Sequence, residues 1–127
     1  MFGVLIIEQS PTATRDLIGA CAAAGLPVLG VARDGLEGVA LARQLQPSHV
    51  TVDLVLPRLP GLQVIEALRR HQLDATVIVV SAVSAREPVV AARTAGARAY
   101  LLKPIAFTKL VELLSASLPA AERAANA

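Results

Sequence analysis

Hydrophobic and polar positions fall into two alternating textures along this chain. Five short runs rich in Val, Ile and Leu recur at Val4 to Glu8, Val28 to Ala32, His49 to Asp53, Thr76 to Ser81 and Ala99 to Lys103. Each is mostly apolar and bounded by breakers, the pattern of parallel strands buried on both faces. Between the runs, apolar residues fall at i, i+3, i+4 spacing, as in Gly61, Val64, Ile65, Leu68 and again in Leu110, Leu113, Leu114, Leu118. That spacing gives a helix one buried face. Strand and helix alternate five times.

Start and stop signals agree with this division. Ser10 and Pro11 suit the N-cap and first position of the first helix, and Asp34 with Glu37 forms a capping-box pattern for the second. Gly25, Pro47 and Gly96 punctuate helix ends. The fourth helix has the weakest pattern, because Pro88 falls at its start and its apolar face is mostly alanine; it is expected to be the most mobile helix. Strands joined by single helices run parallel with right-handed crossovers. The expected fold is therefore α/β, a doubly wound three-layer sandwich in which a five-stranded parallel sheet lies between five helices. Residues 1–118 form one domain in this reading, and residues 119–127 (PAAERAANA) form a frayed tail or the start of a linker.

Composition narrows the function. A length of 127 residues with 54% hydrophobic content supports one real core and leaves no room for a second catalytic or DNA-binding domain. The net charge of +2 arises from 12 basic and 10 acidic residues scattered along the chain, which argues against direct nucleic-acid binding. Aromatic residues make up 2%, too few for base-stacking platforms or an aromatic-walled flavin site. No signal peptide is evident and no apolar run approaches the roughly 20 residues needed to cross a bilayer, so a cytoplasmic, membrane-free protein is expected. Cys21, the only cysteine, lies in the apolar pattern with Leu17 and Ile18 and reads as a buried small hydrophobe rather than a nucleophile.

In a parallel sheet every strand delivers its C-terminal end to the same edge. Glu8, Asp53, Ser81 and Lys103 close four of the five runs, whereas the second run ends without comparable chemistry. With strand order 2-1-3-4-5, the crevice where the order reverses lies between the first and third strands, flanked by Glu8 and Asp53. A carboxylate pair, a hydroxyl and a lysine converging there suit a divalent cation and a phosphoryl group, since hard oxygen ligands favour Mg2+ and an ammonium balances anionic charge.

Over about residues 3–118 the chain resembles the receiver domains of bacterial two-component response regulators, which have a CheY-like, flavodoxin-like fold. The segment from Asp53 through Pro57 to Gly61 matches the family's phosphoacceptor aspartate, with Pro four and Gly eight residues on. Ser81-Ala82 resembles its hydroxyl and small-residue pair, and Tyr100 followed by Lys103-Pro104 its switch aromatic and Lys-Pro. The resemblance implies that Asp53 accepts a phosphoryl group from a sensor histidine kinase or phosphotransfer protein. It further implies that Glu8, Asp53 and the Val55 backbone carbonyl ligate Mg2+, that Ser81 and Lys103 contact the phosphoryl group, and that Ser81 and Tyr100 act as the switch. Pro104 is then a candidate for a cis peptide bond. The fourth helix, fifth strand and fifth helix would present the signal to a downstream protein. Such a domain is not an enzyme beyond its own phosphorylation and dephosphorylation.

One position departs from the family. Its members usually carry two adjacent acidic residues after the first strand, and here the pair is Glu8-Gln9. Gln9 still offers a carbonyl oxygen as a neutral ligand, but the pocket has one carboxylate fewer, which predicts weak Mg2+ binding. The alternative function is a phosphorylation-independent pseudo-receiver acting as a protein interaction module. Two further readings fit worse. An aspartyl-phosphate hydrolase needs a second Asp where Val55 stands, and a flavodoxin-like cofactor carrier needs glycines that the loop after Glu8 lacks.

Overall fold

The period-two alternation within the strands divides the molecule. In a computed structural model, which describes residues 1–118, the order is β1 (Val4–Ile7), α1 (Pro11–Ala23), β2 (Val28–Ala32), α2 (Gly35–Leu45), β3 (His49–Val52), α3 (Gly61–Arg70), β4 (Thr76–Ser81), α4 (Arg86–Ala95), β5 (Ala97–Leu102) and α5 (Phe107–Ala116). The strands form one parallel sheet of order β2-β1-β3-β4-β5. Leu5, Ile7, Val50, Val52, Val77 and Val79 point to one face and pack with Val64, Ile65 and Leu68 of α3, Ala42 of α2 and Ala92 of α4. Val4, Ile6, Ile78 and Val80 point to the other and pack with Leu17, Ala20 and Cys21 of α1 and Leu110 and Leu114 of α5. Successive strand residues thus serve two separate half-cores. Cys21 is wholly buried in the second, and burial pushes its thiol up to about 12, so it stays a protonated packing residue. Among the described residues no helix is long and apolar enough to cross a membrane. The expected tail, 119–127, lies outside the described residues.

Boundaries differ from the sequence reading in ways that have physical causes. Glu8, Asp53 and Lys103 each stand just beyond the last strand residue rather than within the strand. β5 begins at Ala97, two residues before the expected Ala99, and its pairing with β4 shifts between Val77 and Ile78 so that Arg98 is accommodated as an irregularity. Pro88 does not disturb α4. It is the third helical residue, where an N–H would have no partner within the helix in any case. Ala92 is the one buried residue of that helix, so α4 is held by little apolar contact.

His49, on β3, faces the α1/α5 half-core. Its Nδ1 lies 2.7 Å from Ser48 Oγ and its Nε2 3.4 Å from the Ser117 carbonyl oxygen, while Phe2 meets the ring edge-on. Burial lowers its pKa below 6.5; the Ser117 carbonyl opposes that shift and the Arg98 charge adds to it. The unfolded chain binds the proton more readily, so His49 supports the fold above pH 6.5 and that support is lost as pH falls below it. Melting temperature between about pH 7 and about pH 5 is expected to fall more steeply in the wild type than in His49→Gln, which has no ring to titrate. Equal slopes would remove His49 from the acid response.

Candidate functional site

The strand ends supply the site, and the sheet ladder continues one residue past them to hold it. Glu8 N–H donates to the Ala32 carbonyl at 2.9 Å, Asp53 N–H to Ile7 at 3.2 Å and Lys103 N–H to Ser81 at 2.9 Å. Because β2 and β3 flank β1, the order of connection reverses between β1 and β3, which opens a crevice there. Lys103 extends from the end of β5 into this crevice. Its Nζ lies 2.7 Å from Asp53 Oδ2 and 2.8 Å from Glu8 Oε1. The structure therefore brings Glu8, Asp53 and Lys103 into direct contact.

The carboxylates are deeply placed, with side-chain exposures of 1% for Glu8 and 8% for Asp53 against 20% for Lys103. Burial alone would lower the pKa of the ammonium. The hydrogen bond to Asp53 and the nearby charges of Asp53 and Glu8 outweigh burial and raise it. Two carboxylates against one ammonium leave one negative charge in excess. The acids are further oriented by backbone: Glu8 Oε2 accepts from Ser10 N–H at 3.1 Å, and Asp53 Oδ1 accepts from Val55 N–H at 3.0 Å. Ser10 also caps α1 by accepting from Ala13 N–H, so one residue fixes both the helix start and the acid.

Ser81 and Tyr100 stand beside this cluster without joining it. Ser81 is fully buried, and its Oγ accepts from Val83 N–H at 3.3 Å. Tyr100 is half-buried and its hydroxyl donates to the Val83 carbonyl. Burial raises the phenol pKa, opposed by the Ser81 hydroxyl and helped by the Asp53 charge. Val83 is thus a shared partner of both residues. Nothing in its residue type marks this role beyond its position two residues after Ser81. The Lys103–Pro104 peptide bond is cis. Beside Lys103 a cleft of about 190 Å³, lined by Ser10, Ala13, Lys103 and Pro104 among others, opens to solvent.

The loop from Asp53 to Gly61 depends on a missing side chain. Gly61 N–H donates to the Leu54 carbonyl at 2.9 Å, and a Cβ on Gly61 would lie 2.0 Å from the Asp53 carbonyl oxygen. Only glycine allows the start of α3 to fold back this closely. Gln9 is exposed and reaches across from the β1 side, its Nε2 lying 3.5 Å from the Val55 carbonyl oxygen.

This donor set fits a hard divalent cation of low coordination charge. Glu8 Oε1 is buried and, apart from its ionic contact with Lys103, makes no hydrogen bond. Asp53 supplies a second carboxylate, and the Val55 carbonyl oxygen lies 3.5 Å from Gln9 Nε2. Mg2+ is commonly held by one or two carboxylates, with waters and phosphate oxygens completing the shell. Among the described residues no group of three or more His, Cys, Asp and Glu side chains could hold a metal ion, so a cation in this crevice would have Glu8 and Asp53 as its negatively charged neighbours.

Comparison with known proteins identifies the family. A match to the family described as response regulator receiver domain spans residues 4–115. The chain belongs to this receiver-domain family. It is 45% identical over 107 residues to protein-glutamate methylesterase/protein-glutamine glutaminase 4 of Myxococcus xanthus, a match covering 80% of this chain and 30% of that protein. The chain therefore spans about a third of that relative. It is 31% identical over 112 residues to the chemotaxis protein CheY of Thermotoga maritima, covering 88% of this chain and 93% of that one. Among solved structures, the signal receiver domain of the response regulator NarL from Mycobacterium tuberculosis matches with a TM-score of 0.83 at 27% identity, covering 89% of this chain and 92% of that one. Receiver domains are the signalling domains of two-component systems, where they interact with histidine kinases and downstream effectors.

Proposed function

We propose that this receiver domain accepts a phosphoryl group on Asp53 from a phosphohistidine of a sensor histidine kinase or phosphotransfer protein. The observation that carries the reading is Lys103 Nζ bridging Asp53 and Glu8 at 2.7 and 2.8 Å, a cation poised over a buried carboxylate at the sheet's switch point. An Asp53 oxygen attacks phosphorus, the P–N bond to the donor imidazole breaks, and the electron pair leaves with the imidazole. Lys103 pairs with the charge of the transferred group, and Ser81 leaves the Val83 amide, from which its Oγ accepts, to donate its hydroxyl to a phosphoryl oxygen. Glu8, Asp53 and the Val55 carbonyl would hold Mg2+, with Gln9 as a neutral ligand, and the cation would supply charge neutralisation for the phosphoryl group as it transfers. Because Tyr100 and Ser81 share Val83, movement of Ser81 loosens the tyrosine and reshapes the face made by α4, β5 and α5, which meets the downstream protein.

Incubation with a small-molecule phosphodonor is expected to yield a phosphoryl adduct on Asp53, located by peptide mass spectrometry, at a rate that rises with Mg2+ into the millimolar range. A second reading, a pseudo-receiver that works without phosphate, draws on the neutral Gln9 amide lying against the Val55 carbonyl. No adduct at any Mg2+ concentration, with cellular function intact in Asp53→Ala, would replace the first reading by the second.

A further inference from the structure

The end of β2 contributes nothing to the pocket directly, yet the turn after it holds the loop that does. The first N–H groups of a helix have no partners within it. At the start of α2, Asp34 Oδ1 accepts from Glu37 N–H at 2.8 Å, and the Gly35 amide donates across the molecule to the Pro57 carbonyl at 3.1 Å. Pro57 lies two residues beyond Val55 in the loop between β3 and α3. Arg58 follows with φ +69°, a left-handed conformation uncommon outside glycine, and its Nη1 reaches Asp34 Oδ2 at 3.3 Å. The contact leaves no space for a side chain: a Cβ on Gly35 would lie 1.9 Å from the Leu59 carbonyl oxygen and 2.7 Å from the Leu59 Cβ. The loop is thus gripped at its far end by Gly35 and at its root by Gly61, with Val55 between.

We propose that Gly35 is a positioning residue for the acceptor loop. Its bare α-carbon and its amide seat Pro57 and Leu59 so that the Val55 carbonyl stays beside the Asp53 carboxylate, and it thereby sets the cation affinity of a pocket it never touches. Asp34 fixes the helix start that presents it; the exposed ion pair with Arg58 is secondary. This inference rests on the reading in which a cation binds beside Asp53.

The test is a Mg2+ titration of the full chain followed by amide NMR. In the wild type the amides of Asp53 and Val55 shift as the cation binds, and the Gly35 amide shifts with them through its bond to Pro57. Gly35→Ala, whose Cβ meets the Leu59 backbone, loses stability as Gly61→Ala does, so it is titrated at a temperature where circular dichroism shows it folded; there it binds Mg2+ about tenfold more weakly, as loss of an outer support commonly does. Gly96→Ala is the control. Gly96 has a positive φ of 120°, its Cβ would meet Arg69 Nε at 2.5 Å, and it stands before the start of β5, at the sheet edge opposite the pocket, so it destabilises while leaving Mg2+ affinity unchanged. Unchanged affinity in folded Gly35→Ala, or an equal loss in Gly96→Ala, overturns the assignment. If Gly35→Ala does not fold, a wild-type Gly35 amide unmoved by bound Mg2+ overturns it too. Absence of any shift at Asp53 and Val55 in the wild type instead removes the cation reading beneath it.

Discussion

Gly61→Ala is expected to destabilise the domain by about 3 kcal/mol, lowering the melting temperature by roughly 10–20 °C. The added Cβ would lie 2.0 Å from the Asp53 carbonyl oxygen, 2.6 Å from the Leu54 Cα and 2.8 Å from the Asp53 carbonyl carbon. All three are backbone atoms, so no side-chain rotation relieves the clash. The loop and the first turn of α3 must separate, which breaks the hydrogen bond from Gly61 N–H to the Leu54 carbonyl. Better helix propensity for alanine returns less than about 1 kcal/mol, and little of that at a first helical position. Thermal unfolding of the two proteins decides the matter; a shift of only a degree or two would mean that the loop yields easily and that its close approach is not enforced. Because the displaced atoms belong to Asp53 itself, phosphoryl transfer should fall along with stability.

Lys103→Met is expected to have the second largest effect, and its sign depends on the cation. Without divalent metal, removing the ammonium leaves Glu8 and Asp53 buried beside each other with no compensating charge. Breaking a fully buried pair from one side costs about 3–5 kcal/mol; the partial exposure of Lys103 brings the expected loss to about 2 kcal/mol. With Mg2+ present the argument reverses. The ammonium competes with a cation for Asp53 Oδ2 and Glu8 Oε1, so its loss frees both acids as ligands. The variant should therefore gain more melting temperature from added Mg2+ than the wild type does, since a ligand that binds the folded state more tightly stabilises it more. Equal gains in the two proteins would show that Lys103 and the cation do not share these oxygens. Phosphoryl acceptance should still be impaired, because tighter metal binding does not replace the charge that pairs with the transferred group.

The sheet and the site were legible in the sequence for different reasons. Strands buried on both faces give unbroken Val, Ile and Leu runs, and the helices pack with strict spacing, so the alternation was plain. Glu8, Asp53 and Lys103 stood out because charged residues directly following such runs are unexpected in a core. The start of β5 was misplaced because Ala97, Arg98 and Ala99 have neither branched side chains nor clean alternation; the irregular pairing opposite Val77 and Ile78 decides it. Gly35 and Val83 could not be read at all. Gly35 meets the Pro57 and Leu59 backbone, and Val83 offers its own amide and carbonyl to the Ser81 and Tyr100 hydroxyls, so in both cases a main-chain group makes the contact and the spacing of residue types does not reveal it.

The reach of Lys103 across the sheet has a consequence for when the pocket can exist. Asp53 and Lys103 are 50 residues apart in sequence, and Glu8 lies further still from the lysine. Because a domain folds as a unit, the three groups meet only once β5 has joined the edge of the sheet. A chain cut before β5 would leave the two acids without their counter-charge and β4 as an unpaired edge.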